Sequence, residues 1–336
     1  MKLIVGRAGQ AHVSQDTIDE FEKTLLADLT VSAVTQAPDW LFRGLFLGYR
    51  LAQKSKLPIY RYAGSLAKFC GNRDRPHFFV VMMGLDTWKC LAHFLQPFPQ
   101  KSIYLFDAWP THHPRIQQFV NFLNLDFVFV SSSMAAAPLK KVLKNSAVYW
   151  IPEGINPDEY RHAAYENKTI DVLALGRRDE NYHQWVVGPL HAQGKDYRYE
   201  QVKGQLVFPT RKGLIEGLAS SKISICVPSS ITHPERAGGI QTMTIRYLQS
   251  MVSKCLVVGH APEEMIELFG YNPVIEIDWK APQVQLLALI ERFTDYIPLI
   301  ERNYQMVVEQ HTWHCRWHQI QGILLRGAAT GDPATQ

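Results

Sequence analysis

A glycine pair, Gly238-Gly239, stands just ahead of a helical pattern that runs through Thr242 and Arg246 to Val252. Glycines there let backbone N–H groups come close to an anion, and a helix start adds its positive dipole end. With a hydroxyl at Thr242 and a guanidinium at Arg246, the spacing suits a phosphate. Thr242 reads as the helix N-cap, a role compatible with touching phosphate. Thr244, Tyr247, Leu248 and Met251 form the apolar stripe of this helix. Arg246 lies off that stripe, either as a solvated charge or as a residue facing a ligand. A second group is Asp107-Ala108-Trp109-Pro110, followed by His112 and His113. Asp107 is either a turn or cap aspartate or a working acid. A third group, His311, His314, Cys315 and His318, has the helical spacing of a zinc site. The interleaved Trp313 and Trp317 favour a packing helix instead. No Asp-x-Asp motif occurs, so no metal is expected.

These residues need elements to hold them. Apolar strand-like runs alternate with helical patterns along the chain. Leu3–Val5, His77–Met83, Ser102–Phe106 and Asp126–Ser131 read as strands, and Asp16–Leu29 as a helix. After a pause at Val148–Tyr160, rich in proline and acid, the rhythm resumes. Ile170–Leu175 reads as a strand running into Gly176-Arg177-Arg178 and Lys212–Ser220 as a helix. A strand at Lys222–Ser230, a helix at Pro262–Phe269, a strand at Pro273–Ile277 and a long helical tail over Gln283–Leu325 follow. The pattern predicts α/β architecture: two doubly wound parallel sheets with a cleft between them. Ligands bind such sheets beyond the carboxyl ends of the strands. The loops to watch are therefore Gly6–Gln10, Asp107–His113, Gly176–His183 and Pro228–Gln241. Gly6 and Gly9 do not complete a dinucleotide fingerprint, but they fit a loop that a ligand can approach.

Size and composition set bounds. At 336 residues, with 46% hydrophobic and 20% charged residues, the chain has the make-up of a two-domain globular protein. The five cysteines are scattered and odd in number, which points to reduced thiols in a cytoplasmic protein. Residues 1–150 carry 17 Lys and Arg against 10 Asp and Glu, while residues 151–336 carry 18 against 21. The basic half implies an anionic acceptor, a peripheral membrane surface, or simply a solvated face. Basic residues are not interleaved with aromatics, so nucleic acid is not expected as a partner.

Ile151-Pro152-Glu153-Gly154-Ile155-Asn156 resembles the interdomain hinge of GT-B glycosyltransferases. Val172–Arg177 is similar to the first strand of their donor domain, and Ser224–Ser230 with Gly238–Gly259 to their nucleotide-sugar motif. Arg246 three residues before Gln249, and His311-Thr312-Trp313 ahead of Arg316, resemble the spore-maturation-type branch of the GT4-like group. The likeness covers about residues 145–320. It implies a GT-B fold with an acceptor domain at 1–152, a nucleotide-sugar domain at 153–310 and a closing helix at 311–328 packed across both.

The resemblance also implies roles. Arg177, Arg246, Gly238, Gly239 and Thr242 would face the diphosphate of a UDP- or GDP-sugar donor, with no tightly bound cofactor. His183 would stand near a lysine common in the family, Arg211 near the nucleobase, and Gly6 where the donor approaches the first strand. Asp107, His112 and His113 would face the transferred sugar or the acceptor, and Glu235 the sugar hydroxyls. The chain departs from the family at two places. Gln241 and Gln249 stand where relatives carry two glutamates, the second of which accepts from ribose hydroxyls. An amide carbonyl can still accept, but without the charge-assisted share of the bond. The implied activity is transfer of a hexosyl unit with retained configuration. The alternatives are a sugar-nucleotide epimerase and a non-catalytic sugar-nucleotide-binding protein.

Overall fold

The computed structural model describes residues 3–6, 16–33, 44, 47, 51, 77–85, 98–176, 178–202 and 204–330. Arg177, Gly9, Gln10, Cys70 and Cys90 lie outside the described residues. The chain divides into two compact units, one of residues 1–152 with 316–336 and one of residues 153–315.

The first unit is built on six parallel strands: β1 (Leu3–Gly6), β2 (Val31–Ala33), β3 (His77–Met83), β4 (Lys101–Phe106), β5 (Phe127–Val130) and β6 (Ala147–Trp150), in the order β2-β1-β3-β4-β5-β6. Strands β3, β4 and β5 are buried along almost their whole length and carry the apolar runs Phe78–Met83, Ile103–Phe106 and Phe127–Val130, as expected where both faces of a parallel sheet are covered. Helix α1 (Asp16–Ala27) opens with Asp16 and Asp19 in its first turn, where carboxylates suit the helix dipole. It buries Ile18, Phe21 and Leu25. Helix α2 (His113–Leu123) ends at Asn124 in the left-handed conformation. Helix α3 (Ser133–Val142) follows β5. Strand β6 occupies part of the segment read from sequence as a hinge.

The second unit holds five parallel strands: β7 (Ile170–Ala174), β8 (Tyr197–Arg198), β9 (Ser221–Cys226), β10 (Leu256–Gly259) and β11 (Ile275–Glu276), in the order β11-β10-β9-β7-β8. Among them run α4 (Glu180–Ala192), α5 (Arg211–Ala219), two single turns α6 (Ser229–Thr232) and α7 (Pro234–Ala237), α8 (Ile245–Val252), α9 (Glu263–Phe269), α10 (Pro282–Glu291) and α11 (Ile297–Gln310), and a last helix, α12 (Trp313–Thr330), only starts in this unit. The core joins Val172, Ile223, Leu256 and Val258 of the sheet to Val186, Leu190, Leu286 and Ile300 of the helices. Asp179 and Thr210 cap α4 and α5, accepting from Tyr182 N at 2.8 Å and Gly213 N at 3.1 Å.

One expectation needs correcting. The helical tail is not continuous: it breaks at the 3-10 turn Phe293–Tyr296 and again at His311-Thr312, where a short bridge to Ile155 forms. Ile155 N donates to His311 O at 3.1 Å, and Trp313 N donates to Ile155 O at 2.9 Å. Gly154 must be glycine there, because a Cβ would stand 2.8 Å from Trp313 N. The break also removes the metal face, since His311 closes α11 and stacks on Phe269 at 4.6 Å. From Arg316 onward α12 belongs to the first unit. Its Trp317 Nε1 and Gln321 Nε2 donate to Asp28 Oδ2 at 3.0 and 2.6 Å, and the Trp317 ring lies 6.1 Å from that of Phe79. The Thr30 backbone amide, then Trp317, hold the Asp28 carboxyl down to about 2.

Candidate functional site

In the second sheet β7 lies between β8 and β9, so the chain leaves β7 and β9 toward opposite edges. The carboxyl ends of these two strands make the switch point where such sheets bind ligands. Gly176 follows β7, with φ +71. Beyond β9 come α6, α7 and the glycine pair. Gly238 adopts φ 56 and ψ −134, a conformation open only to glycine, and Gly239 has open space where a Cβ would point. Glu235 is exposed on α7.

Helix α8 starts two residues later than the sequence suggests. Its N-cap is Thr244, not Thr242. Thr242 is turned elsewhere: its hydroxyl donates to Glu264 Oε1 at 2.6 Å, and Met243 N donates to the same oxygen at 2.8 Å. A buried carboxylate from α9 thus fixes the loop between the glycines and the helix. The first free amide of α8 is also taken. Ile245 N donates to Glu153 Oε2 at 2.7 Å, and Glu153 is 5% exposed. The segment that resembles the hinge therefore supplies an anion to the helix N-terminus.

Arg246 follows Ile245. Its Nη2 would stand 3.5 Å from a Cβ at Gly176, so the guanidinium lies against the loop that leaves β7. Of its two readings, the ligand-facing one fits this placement. One turn further, Gln249 is 3% exposed. Its Nε2 donates to Tyr160 Oη at 2.9 Å, while its Oε1 is buried with no hydrogen-bond partner. The Arg211 guanidinium sits 5.5 Å above the Tyr160 ring and pairs with Glu159 Oε2 at 2.7 Å. Gln241 is held from another side. Its Oε1 lies 3.1 Å from His260 Nε2, and His260 Nδ1 lies 2.9 Å from Glu276 Oε2. Gly176, Arg246, Gln249 and Arg211 are therefore linked along one helix and its neighbours.

His183 is placed differently. It is buried on α4, with Nδ1 3.1 Å from Tyr197 Oη and its ring 4.5 Å from that of Tyr199. Burial, then the Arg178 charge, lower its pKa. Aromatic packing occupies this ring, which corrects the expectation of a donor contact. The Cys226 thiol at the end of β9 is pushed up by burial.

In the first unit the order of strands reverses between β1 and β3, so Gly6 ends a strand at the corresponding position. Asp107 follows β4 with φ 53, a conformation aspartate tolerates better than most residues. The turn Pro110–His112 leads into α2. His113 Nε2 donates to the Ala108 carbonyl at 3.0 Å, which steadies the loop, whereas the buried His112 Nδ1 has no hydrogen-bond partner. Among the described residues, no group of three His, Cys, Asp or Glu is placed to hold a metal.

Sequence reasoning missed Glu153, Tyr160, His260, Glu264 and Glu276. Glu153 and Tyr160 stand in the hinge-like segment but carried no chemical signal of their own. The others become visible only when strands and helices far apart in sequence meet.

No protein-family model matches the chain, and no curated protein matches it in sequence. Solved structures do match in fold. Sucrose-phosphate synthase from Thermosynechococcus elongatus is 12% identical with a TM-score of 0.60, over 98% of this chain and 100% of that one. A glycosyltransferase from Rickettsia africae is 12% identical with a TM-score of 0.56, over 96% and 97%. HepE of Anabaena in complex with UDP-glucose is 11% identical with a TM-score of 0.55, over 97% and 100%. Parallel α/β sheets in two units, matched end to end by these neighbours, give the chain the GT-B glycosyltransferase fold.

Proposed function

We propose that the protein is a glycosyltransferase of the GT4-like group. In this reading it moves a hexosyl unit from a UDP- or GDP-sugar to an acceptor hydroxyl, without metal and with retained configuration. The observation that carries this reading is the Arg246 guanidinium against Gly176 at the switch point, one helical turn from the unpartnered carbonyl of Gln249. In this reading the guanidinium is the cation for a diphosphate and the carbonyl the acceptor for a ribose hydroxyl. The fold neighbour HepE in complex with UDP-glucose supports the donor class.

In this reaction the bond from the anomeric carbon to the phosphate oxygen breaks, and its electron pair leaves with the diphosphate. The acceptor oxygen bonds to the anomeric carbon and passes its proton to the departing phosphate oxygen. Arg246, Arg177 and the amides around Gly239 stabilise the charge that develops on the leaving group. Asp107, His112 and His113 serve the acceptor side, and Glu235 the sugar hydroxyls. The basic N-terminal half suits an anionic or membrane-held acceptor met at the cytoplasmic face.

The test is incubation with UDP-, GDP- and ADP-sugars while nucleoside diphosphate release is followed. Release that depends on an added acceptor, and is lost in Arg246→Ala, is the expected result. A second reading is favoured by Gln241, Gln249 and the Glu153 carboxylate on α8: a protein that binds sugar nucleotides without transfer. Donor-dependent thermal stabilisation with no release would select it. Conversion of one sugar nucleotide to another without acceptor would select an epimerase.

A further inference from the structure

Residues 108–150 carry α2, β5, α3 and β6, and their surface is one-sided in charge. The basic side chains are Arg115, Lys140, Lys141 and Lys144, all exposed. The one acid is Asp126, which is 6% exposed and accepts from Lys101 N at 2.8 Å. Among the described residues, no carboxylate pairs with any of the three lysines. Helix α3 is also apolar where it faces outward. Its inner face buries Ala135, Ala136 and Leu139. Met134, Ala137, Pro138, Lys141 and Val142 are exposed at i, i+3, i+4, i+7 and i+8, which is one stripe of a helix. Met134 is 47% and Val142 40% exposed, so the stripe is open to a large partner. An apolar stripe flanked by cations, with no anion near it, is the make-up of a helix that lies in a membrane interface. A nucleic acid or an acidic protein would use the lysines and leave the stripe idle.

We propose that the outward face of α3 is a docking surface for an anionic lipid bilayer. Met134 and Val142 enter the headgroup region, and Lys140, Lys141 and Lys144 meet the lipid phosphates. The 10 residues of α3 are too short to cross a bilayer, so the helix lies along it. The inference deepens the acceptor half of the proposed function, and rests on it only for the purpose of docking. That purpose is to hold the first unit against the layer in which a membrane-held acceptor lies.

Flotation of the full chain with vesicles tests this, using phosphatidylcholine alone and phosphatidylcholine with about 30% phosphatidylglycerol. The native chain is expected to bind the mixed vesicles only, and to be loosened at least about tenfold by roughly 0.5 M salt. Lys140→Gln with Lys141→Gln is expected to weaken binding about twentyfold, as each lysine at such a surface contributes roughly fivefold. Met134→Ser is expected to weaken it at least about threefold. Lys212→Gln with Lys280→Gln removes the same charge from exposed lysines of the second unit and is expected to leave binding unchanged. Equal binding to both vesicles, none to either, equal loss in the two double variants, or no loss on Met134→Ser would overturn the inference. Retention by DNA or polyglutamate without vesicle binding would assign the lysines to a polyanion and overturn it too. The flotation contains no sugar nucleotide. Failure of nucleoside diphosphate release would therefore remove the proposed activity and leave the docking surface standing.

Discussion

At the scale of single residues, the anion on α8 is Glu153. Its carboxylate holds Ile245 N, beside the guanidinium proposed to meet a diphosphate. Glu153→Gln keeps an acceptor but removes the charge. It should cost about 1 kcal/mol of stability through the weaker cap. The same change should tighten UDP binding several-fold by relieving repulsion, so melting and affinity move in opposite directions; movement in the same direction would sink the idea. These residues also mark how far sequence reaches. The glycine pair and Arg246 drew attention through their types and spacing, and the two glutamines only through the family resemblance. Thr242 was misread as a cap, because its partner, Glu264, lies on another helix 22 residues on. Tyr160 was silent for the same reason, being 89 residues from Gln249.

Among elements, the strands were the most legible, since β3 and β4 are buried on both faces and carry the apolar blocks Phe78–Met83 and Ile103–Phe106. Strand β6 was not, because it is only half-buried along most of its length and runs straight into Pro152. The tail read as one helix because apolar spacing persists through it, while its break at His311-Thr312 goes with contacts to Ile155 and Phe269. Lys168 shows what periodicity cannot see. It lies just ahead of β7, and its Nζ donates to the carbonyls of Ala219, Ser221 and Ser253 at 2.8, 3.0 and 3.0 Å. It thereby ties together the start of β9 and the end of α8. Lys168→Met would strand these acceptors, and a loss of at least about 3 kcal/mol is expected by urea unfolding. At the start of β3, burial pushes His77 down to about 4 from an ordinary 6.5, so the folded chain holds it neutral. The unfolded chain takes up the proton first as pH falls. Stability from this group is complete above about 6.5 and falls away toward pH 4, by roughly 3 kcal/mol. His77→Asn should flatten that part of the stability-against-pH curve; an unchanged slope would show another group responsible.

For the whole molecule, the α/β rhythm and the resemblance together anticipated the GT-B fold, because each strand–helix unit writes its own pattern. The ownership of α12 was not readable, as nothing local says which unit a helix will join. Each unit has its own sheet and core, so scanning calorimetry should resolve two transitions, with UDP raising only the one that belongs to residues 153–315. A single transition that moves as a whole would show the two unfolding together. The docking of α12 carries a last consequence, for synthesis. Trp317, 2% exposed, and Gln321 close onto Asp28, nearly 300 residues upstream. On the ribosome, the second unit can be complete while the first still waits for its final helix. The part made earliest thus waits for one made long after it, and a nascent chain holds the face that receives α12 uncovered until α12 itself has emerged.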